Sequence, residues 1–202
     1  MKKYFFLILF YSANLLAQSG EMGIGAQLYL FGNKNFSSSI PGLKLHFKYG
    51  FSDKFSSLSN ASVMLFDKAR NSELYKAEFI ILVQMEESVL YRFASFRFEP
   101  YIGAGIGYYL INHKIHGHHV SYDETTDVWG EKISNGFGIL FNVGVSDFFG
   151  VFVELKYVVH KPTVNLELVQ YYNNGTTENK ELEKTVSFNA LYLNIGYAFS
   201  LF

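Results

Sequence analysis

Apolar residues alternate with small or polar residues along most of the chain, from about residue 20 to the last residue, Phe202. An alternation of period two is typical of β-strands that present one face to an apolar medium. The alternation falls into eight runs, and each run predicts one strand. In chain order the predicted strands are Gly20–Phe31, Gly42–Phe51, Phe55–Phe66, Tyr75–Phe93, Arg97–Ile111, Ile133–Ser146, Gly150–His160 and Thr185–Leu201.

The connections between these runs are alternately short and long. Tight connections are predicted at Ser52–Lys54, Ala94–Phe96 and Asp147–Phe149. Longer, polar connections are predicted at Gly32–Ser38, Asp67–Leu74, His113–Glu131 and Lys161–Lys184. Outer-membrane barrels have short periplasmic turns and long outer loops in this order. The sequence therefore predicts an all-β fold, an eight-stranded antiparallel transmembrane β-barrel with up-and-down topology.

The polar face of the strands favours a membrane barrel over a soluble one. A soluble lipocalin-like barrel also has eight alternating strands, but its apolar face surrounds a ligand. Here the face opposite the apolar one carries Lys44, Lys48, Glu154 and Lys156 together with many glycines, serines and asparagines. That face suits a narrow polar interior filled by side chains. Charged residues make up 17% of the chain, which is low for a soluble domain.

The N-terminus has the pattern of an export signal. Two lysines precede the apolar run Tyr4–Tyr11, and Ala17 is a suitable last residue before cleavage. The run is shorter than the ~20 residues that a spanning helix needs. We predict a signal peptide over residues 1–17 and a barrel domain over residues 18–202, located in the outer membrane of a Gram-negative cell. Cysteine is absent, which excludes disulfides, thiol nucleophiles and an N-terminal lipid anchor on cysteine.

Three segments resemble strands of a known family. Phe98–Tyr109 is similar to the Pro-Tyr-x-Gly-x-Gly strand of bacterial outer-membrane β-barrel-domain proteins, Gly136–Gly144 to their following strand and Leu193–Phe199 to their closing strand. The resemblance is to the small barrels of the OmpA, OmpX and OmpW type, which share a fold but not one activity. It implies contact with outer-membrane lipid, and with the barrel-assembly machinery during insertion. Phe202 has the opposite parity to Leu201, so an extra residue or a bulge is expected in the last strand.

Charged residues of inward parity form the first candidate site. Buried charges need partners, and eight strands leave an interior barely wider than the side chains. We therefore predict a paired polar network that plugs the barrel, and the alternative is a narrow porin-like channel for small solutes. The predicted network consists of Lys44, His46, Lys48, Glu78, Glu99, Glu154 and Lys156, with Glu86 and Arg92 of the same parity.

A histidine-rich stretch is the second candidate site. Imidazoles and carboxylates at this density could bind Zn²⁺, Cu²⁺ or Ni²⁺, although loops are often rich in histidine without holding a metal. The candidate ligands are His113, His116, His118 and His119, followed by Asp123, Glu124 and Asp127. No cofactor is predicted, and a net charge of −1 gives no reason to expect nucleic acid as a partner.

An enzyme is the third interpretation. Some eight-stranded outer-membrane barrels modify lipids with serine, histidine and acidic groups near the outer rim. His160 lies at the predicted outer end of the seventh strand and His46 faces inward, but neither belongs to a recognisable Ser/His/acid arrangement. The sequence therefore predicts that the chain is not an enzyme. Its predicted role is structural, or an interaction of its outer loops with an extracellular protein or surface ligand; a lipid-modifying enzyme ranks third, after the channel.

Two further features concern the strands. Val164–Tyr172 is strand-like and Asn173–Thr176 is a strong turn signal, which predicts a hairpin projecting outside the membrane.

Glu87 has the lipid-facing parity of the fourth strand, where a carboxylate is unfavourable. A bulge near Glu86–Glu87 would move it away from lipid, but the alternation alone offers no clean explanation.

Overall fold

The computed structural model describes residues 19–31, 39–72, 75–93, 98–120, 125–147, 149–161, 163–172, 174–185 and 189–201. Residues 1–17 and Phe202 lie outside these ranges, so the predicted signal peptide and the terminal register stay predictions. Within the ranges, no helix is long and apolar enough to cross a membrane. The strands there are β1 (Ser19–Phe31), β2 (Ser39–Gly50), β3 (Phe55–Ser72), β4 (Tyr75–Arg92), β5 (Phe98–Val120), β6 (Thr125–Asp147), β7 (Val151–Val159), β8 (Thr163–Tyr172), β9 (Thr177–Thr185) and β10 (Ala190–Ser200).

Strands β1 to β7 and β10 form a closed antiparallel ring. Each of β1 to β7 pairs with its neighbour in the chain, and β10 closes the ring by pairing with both β7 and β1. The predicted eight-stranded antiparallel barrel is therefore confirmed. At one tight turn, Asp147 accepts hydrogen bonds from the backbone of Phe149 and Val151 through Oδ1, at 3.0 and 2.8 Å. Gly150 has a φ of 92° in this turn, a conformation that favours glycine.

Three strands are longer than the alternation predicts. The connections predicted at Asp67–Leu74 and His113–Glu131 were wrong over most of their length, because β3 continues to Ser72, β5 to Val120, and β6 begins at Thr125. The backbone ladder continues through these extensions. The extensions lack the regular apolar–polar alternation from which the strands were predicted, although the pairing persists.

The predicted hairpin is confirmed as β8 and β9, which pair from Thr163↔Thr185 to Tyr171↔Thr177. In its turn, Asn174 Oδ1 accepts a 2.9 Å hydrogen bond from the Thr176 backbone and Gly175 has a φ of 80°. β8 also pairs with the extension of β6. The last barrel strand begins at Ala190, later than predicted, because the chain near Thr185 belongs to β9.

Candidate functional site

The centre of the barrel holds an ion pair between β7 and β4. Lys156 Nζ lies 2.7 Å from Glu86 Oε1 and 2.8 Å from Glu86 Oε2. The same ammonium donates to the side-chain carbonyl oxygens of Gln84 at 2.8 Å and Gln27 at 3.2 Å. All of these side chains are buried. The hydrogen bonds from one lysine to three partners offset the cost of removing its charge from water.

A second buried pair lies nearer the end of the barrel with the tight turns. Lys44 Nζ is 2.7 Å from Glu154 Oε1, and both side chains are at most 1% exposed. The Glu154 carboxylate also accepts hydrogen bonds from Asn194 Nδ2 at 2.8 Å and from the Tyr101 hydroxyl at 3.2 Å. The donors come from β2, β10 and β5, so this carboxylate connects strands from separate parts of the barrel wall.

The mouth at the end of the barrel with the tight turns carries a looser charge cluster. Lys48 Nζ lies 3.2 Å from Glu21 Oε2 and 3.3 Å from Glu99 Oε2. Arg92 Nη1 lies 3.9 Å from the same Glu99 oxygen, and its Nη2 donates to the Ser52 carbonyl at 2.6 Å. The Glu99 side chain is 48% exposed. Solvent screens these pairs, so they contribute less than the two buried ones.

The outer half of the interior is apolar. Tyr29 packs edge-on against Phe66, with ring centroids 5.5 Å apart. The Lys156 ammonium lies 5.0 Å from the centroid of the ring of Tyr192, which belongs to this layer. The barrel therefore has a polar centre covered on its outer side by hydrocarbon. The buried residues of this apolar layer are Met64, Phe66, Ile80, Leu82, Tyr109, Ile111, Leu140, Val158, Ala190 and Tyr192.

A small cavity remains beside the second ion pair. Its volume is about 20 Å³, and Lys44, His46, Tyr101 and Glu154 contribute to its lining. A space of this size holds about one water molecule, since roughly 10–15 Å³ suffices for one. His46 itself is buried and packs edge-on against the Phe152 ring at 4.4 Å.

Sequence reasoning named most of the charges of this interior but missed Glu21 and the neutral partners. Gln27, Gln84, Tyr101 and Asn194 have the same inward parity, so parity was a signal that could have found them. Glu78 pairs through its backbone with Lys68 and Ile115, and its side chain lies outside the described part of the structure.

The histidine-rich stretch lies in β5 and not in a loop. His118 pairs with Asp127 and His116 with Trp129 in the β5–β6 ladder. Among the residues whose side chains are described, no group of three or more histidine, aspartate or glutamate side chains could hold a metal ion. The side chains of His113, His116, His118 and His119 are outside that set, so the metal site stays a prediction.

His160, the residue considered for catalysis, packs against the outer rim. Its ring stacks on Tyr109 with centroids 4.5 Å apart, and Nδ1 lies 3.1 Å from the Phe137 carbonyl oxygen. Its backbone N–H donates to Asn189 Oδ1 at 2.9 Å. These contacts join the end of β7 to the middle of β5 and β6 and to the residue that precedes β10.

Comparisons with known proteins give the fold. No protein-family model and no curated protein matches the chain. The outer membrane protein OprG from Pseudomonas aeruginosa is similar in structure, with 14% identity over 92% of this chain and 96% of that one, and a TM-score of 0.58. Ail from Yersinia pestis, in complex with the heparin analogue sucrose octasulfate, matches at 10% identity over 90% and 97% of the chains, with a TM-score of 0.45. The resemblance to small outer-membrane barrels is thus confirmed for the fold, and neighbours that are all outer-membrane proteins are consistent with an outer-membrane location.

The same comparison corrects the prediction that the chain is not an enzyme. One matched structure is LpxR from Salmonella typhimurium, a lipid A-modifying enzyme, at 10% identity over 89% and 99% of the chains and a TM-score of 0.33; most of the other neighbours are non-enzymatic. The prediction was wrong because it rested on the absence of a recognisable Ser/His/acid arrangement, and that absence does not decide whether the chain carries an enzymatic site.

Proposed function

We propose that the chain forms a plugged barrel in the outer membrane and meets surface ligands or partner proteins through its extramembrane strands. The observation that supports the plug is the Lys156–Glu86 pair, whose two side chains have no exposed surface. Together with the Lys44–Glu154 pair and the apolar layer above, it fills the interior at successive levels. We also propose that residues 1–17 direct export and are removed.

The extramembrane sheet supports the second half of the proposal. Beyond the barrel ring, β6 pairs with β8 over Thr126–Gly130, and β9 follows β8 as the outer edge of the sheet. The end of the hairpin, residues 174–179, is exposed. An exposed edge can pair with an added strand of a partner, whereas the charged side chains of Thr177–Thr185 oppose indiscriminate pairing. The extension is therefore suited to a selective surface contact.

Solute permeation into liposomes tests the plug. The refolded full chain is reconstituted into vesicles, which are then transferred to an iso-osmotic solution of a small sugar or amino acid. The proposal predicts swelling no faster than in protein-free vesicles. Swelling that accelerates with protein content and with smaller solutes would overturn the plug and favour the narrow channel.

A further inference from the structure

The register of the β5–β6 ladder divides the four candidate histidines between two faces. The two strands pair over their whole length without a register shift, so their residues alternate strictly between the faces. His116 and His118 have the parity of Ile106, which is exposed on the outer wall, and His113 and His119 have the opposite parity. At about 3.4 Å per residue, His116 and His118 are ~7 Å apart along one face, whereas His113 and His119 are ~20 Å apart along the other. A single ion is therefore within reach of the first pair only.

The outer face of β5 becomes polar before it reaches His116 and His118. β5 has 23 residues, whereas a membrane strand needs roughly 9–11. Its exposed apolar residues include Phe98 and Ile106, in the first half of the strand, while Lys114, on the same face, is also exposed. A lysine facing lipid hydrocarbon is unfavourable, so this face meets water at Lys114. The two histidines lie farther along the strand, at positions that dissolved ions can reach.

β6 places an acidic residue at the same level and on the same face. Asp127 is paired directly with His118, and the Cβ atoms of such opposite residues lie about 4.5–5.5 Å apart. Asp127 is also paired with Tyr171 of β8, so a ladder holds β6 on each side at this point. Positions on paired strands are set more precisely than positions on loops. The backbone thus brings two histidines and one aspartate together.

We propose that His116, His118 and Asp127 form a binding site for a divalent transition-metal ion such as Zn²⁺. Imidazole nitrogen and carboxylate oxygen are both Zn²⁺ ligands, and three protein ligands leave a fourth position for water. Lys114 is the neighbouring cation on this face of β5, and Glu131 stands directly opposite it in the ladder, which offsets its repulsion of a metal ion. An ion held at this site joins β5 to β6 close to the end of their ladder.

The single tryptophan of the chain, Trp129, provides an optical probe of the site. It lies two residues from Asp127 on β6 and directly opposite His116. Ni²⁺ quenches tryptophan emission at short range, whereas Zn²⁺ has a filled d shell and does not. Titration of Ni²⁺ into the refolded chain, prepared without a histidine tag, is expected to quench Trp129 saturably with one ion per chain. Excess Zn²⁺ is expected to restore the emission. Quenching that does not saturate, or that Zn²⁺ does not reverse, overturns the site.

Two double variants compare the two faces of β5. His116→Ala/His118→Ala removes both histidines of the proposed site, and His113→Ala/His119→Ala removes the same number from the opposite face. We expect the first to raise the half-quenching Ni²⁺ concentration more than about tenfold, because even the outer partners of metal ligands contribute roughly 10–100-fold to affinity. The second is expected to retain wild-type quenching. Heat-modifiable gel migration verifies that each variant is folded. Equal weakening in both variants, or none in the first, overturns the proposal.

A pair of single variants tests the carboxylate. Asp127→Asn removes the proposed ligand, and Glu131→Gln removes the same charge four residues away on the same face of β6. Asp127→Asn is expected to weaken Ni²⁺ binding by about tenfold, and Glu131→Gln by much less. Equal weakening would reflect a general attraction of cations and would overturn the role given to Asp127.

Discussion

Lys156 Nζ lies 2.7 Å from Glu86 Oε1 in the centre of the barrel, and neither side chain has any exposed surface. The two residues are 70 positions apart in sequence and reach each other across the lumen from β7 and β4. Their contact fills space that a pore would need. It also makes each charge dependent on the other, because a lone charge at this position would have no solvent to stabilise it.

Removing one partner of this pair should destabilise the barrel more than removing both. Glu86→Leu leaves the Lys156 ammonium buried without its counter-charge, for which we expect a loss of about 3–5 kcal/mol in the free energy of unfolding. The double variant Glu86→Leu/Lys156→Met should recover most of that loss. The measurement is a urea titration in lipid vesicles that follows the folded fraction by gel mobility. A double variant as unstable as the single one would contradict the pairing.

Gly105 should tolerate no side chain. A Cβ added there would meet the Glu87 backbone oxygen and lie 2.6 Å from Ser88 Oγ, so β4 and β5 would have to separate. We expect Gly105→Ala to destabilise the barrel by about 1–3 kcal/mol, as overpacking does. Gly175→Ala is the control: its Cβ meets no atom within 4 Å, and any strain stays in the hairpin turn. The same urea titration should leave Gly175→Ala near wild type, and equal losses would count against the close strand approach.

The β8–β9 hairpin should be dispensable for folding. β7 and β10 pair directly, from Val158↔Ala190 to Val151↔Tyr197, so the ring closes without the hairpin. Replacing residues 163–185 by a short glycine–serine linker should preserve heat-modifiable migration. Loss of the folded band in this variant would show that the extramembrane sheet is needed to close the barrel.

Epitope tags inserted in the hairpin turn and in the β2–β3 turn should lie on opposite sides of the membrane. A tag between Asn174 and Gly175 lies in the exposed hairpin turn, whereas a tag between Asp53 and Lys54 lies in the turn between β2 and β3. We expect antibody to label the first tag on intact cells and the second only after permeabilisation. The reverse pattern would invert the orientation of the barrel.

The strands of the barrel were predictable because lipid and interior impose different chemistry on alternate residues. Val151, Val153 and Leu155 are exposed on β7 while Phe152, Glu154 and Lys156 are buried, as the parity predicted. The extension of β5 to Val120 was not predictable from alternation, because apolar and polar residues do not alternate regularly over residues 112–120. Alternation therefore reports the environment of a strand and not its length.

The partners within the interior could not be read from the sequence. Inward parity identifies Lys44 and Glu154, but their 2.7 Å contact joins positions 110 residues apart and depends on how the strands are staggered around the ring. Glu87 shows the opposite case. Its predicted lipid-facing position was correct. The sequence did not reveal that Ser59 and a groove of small residues lie beside it, because these contacts depend on how β3 and β4 pair.

Single-channel recording in planar bilayers tests the filled interior most directly. The wild-type chain is compared with the variant Glu86→Ala/Lys156→Ala/Tyr192→Ala, in which three buried side chains at the centre are truncated. Gel mobility first establishes that both proteins are folded. The plugged barrel predicts no reproducible open steps for the wild type and steps of uniform size for the truncated variant. Reproducible open steps from the wild type would contradict it.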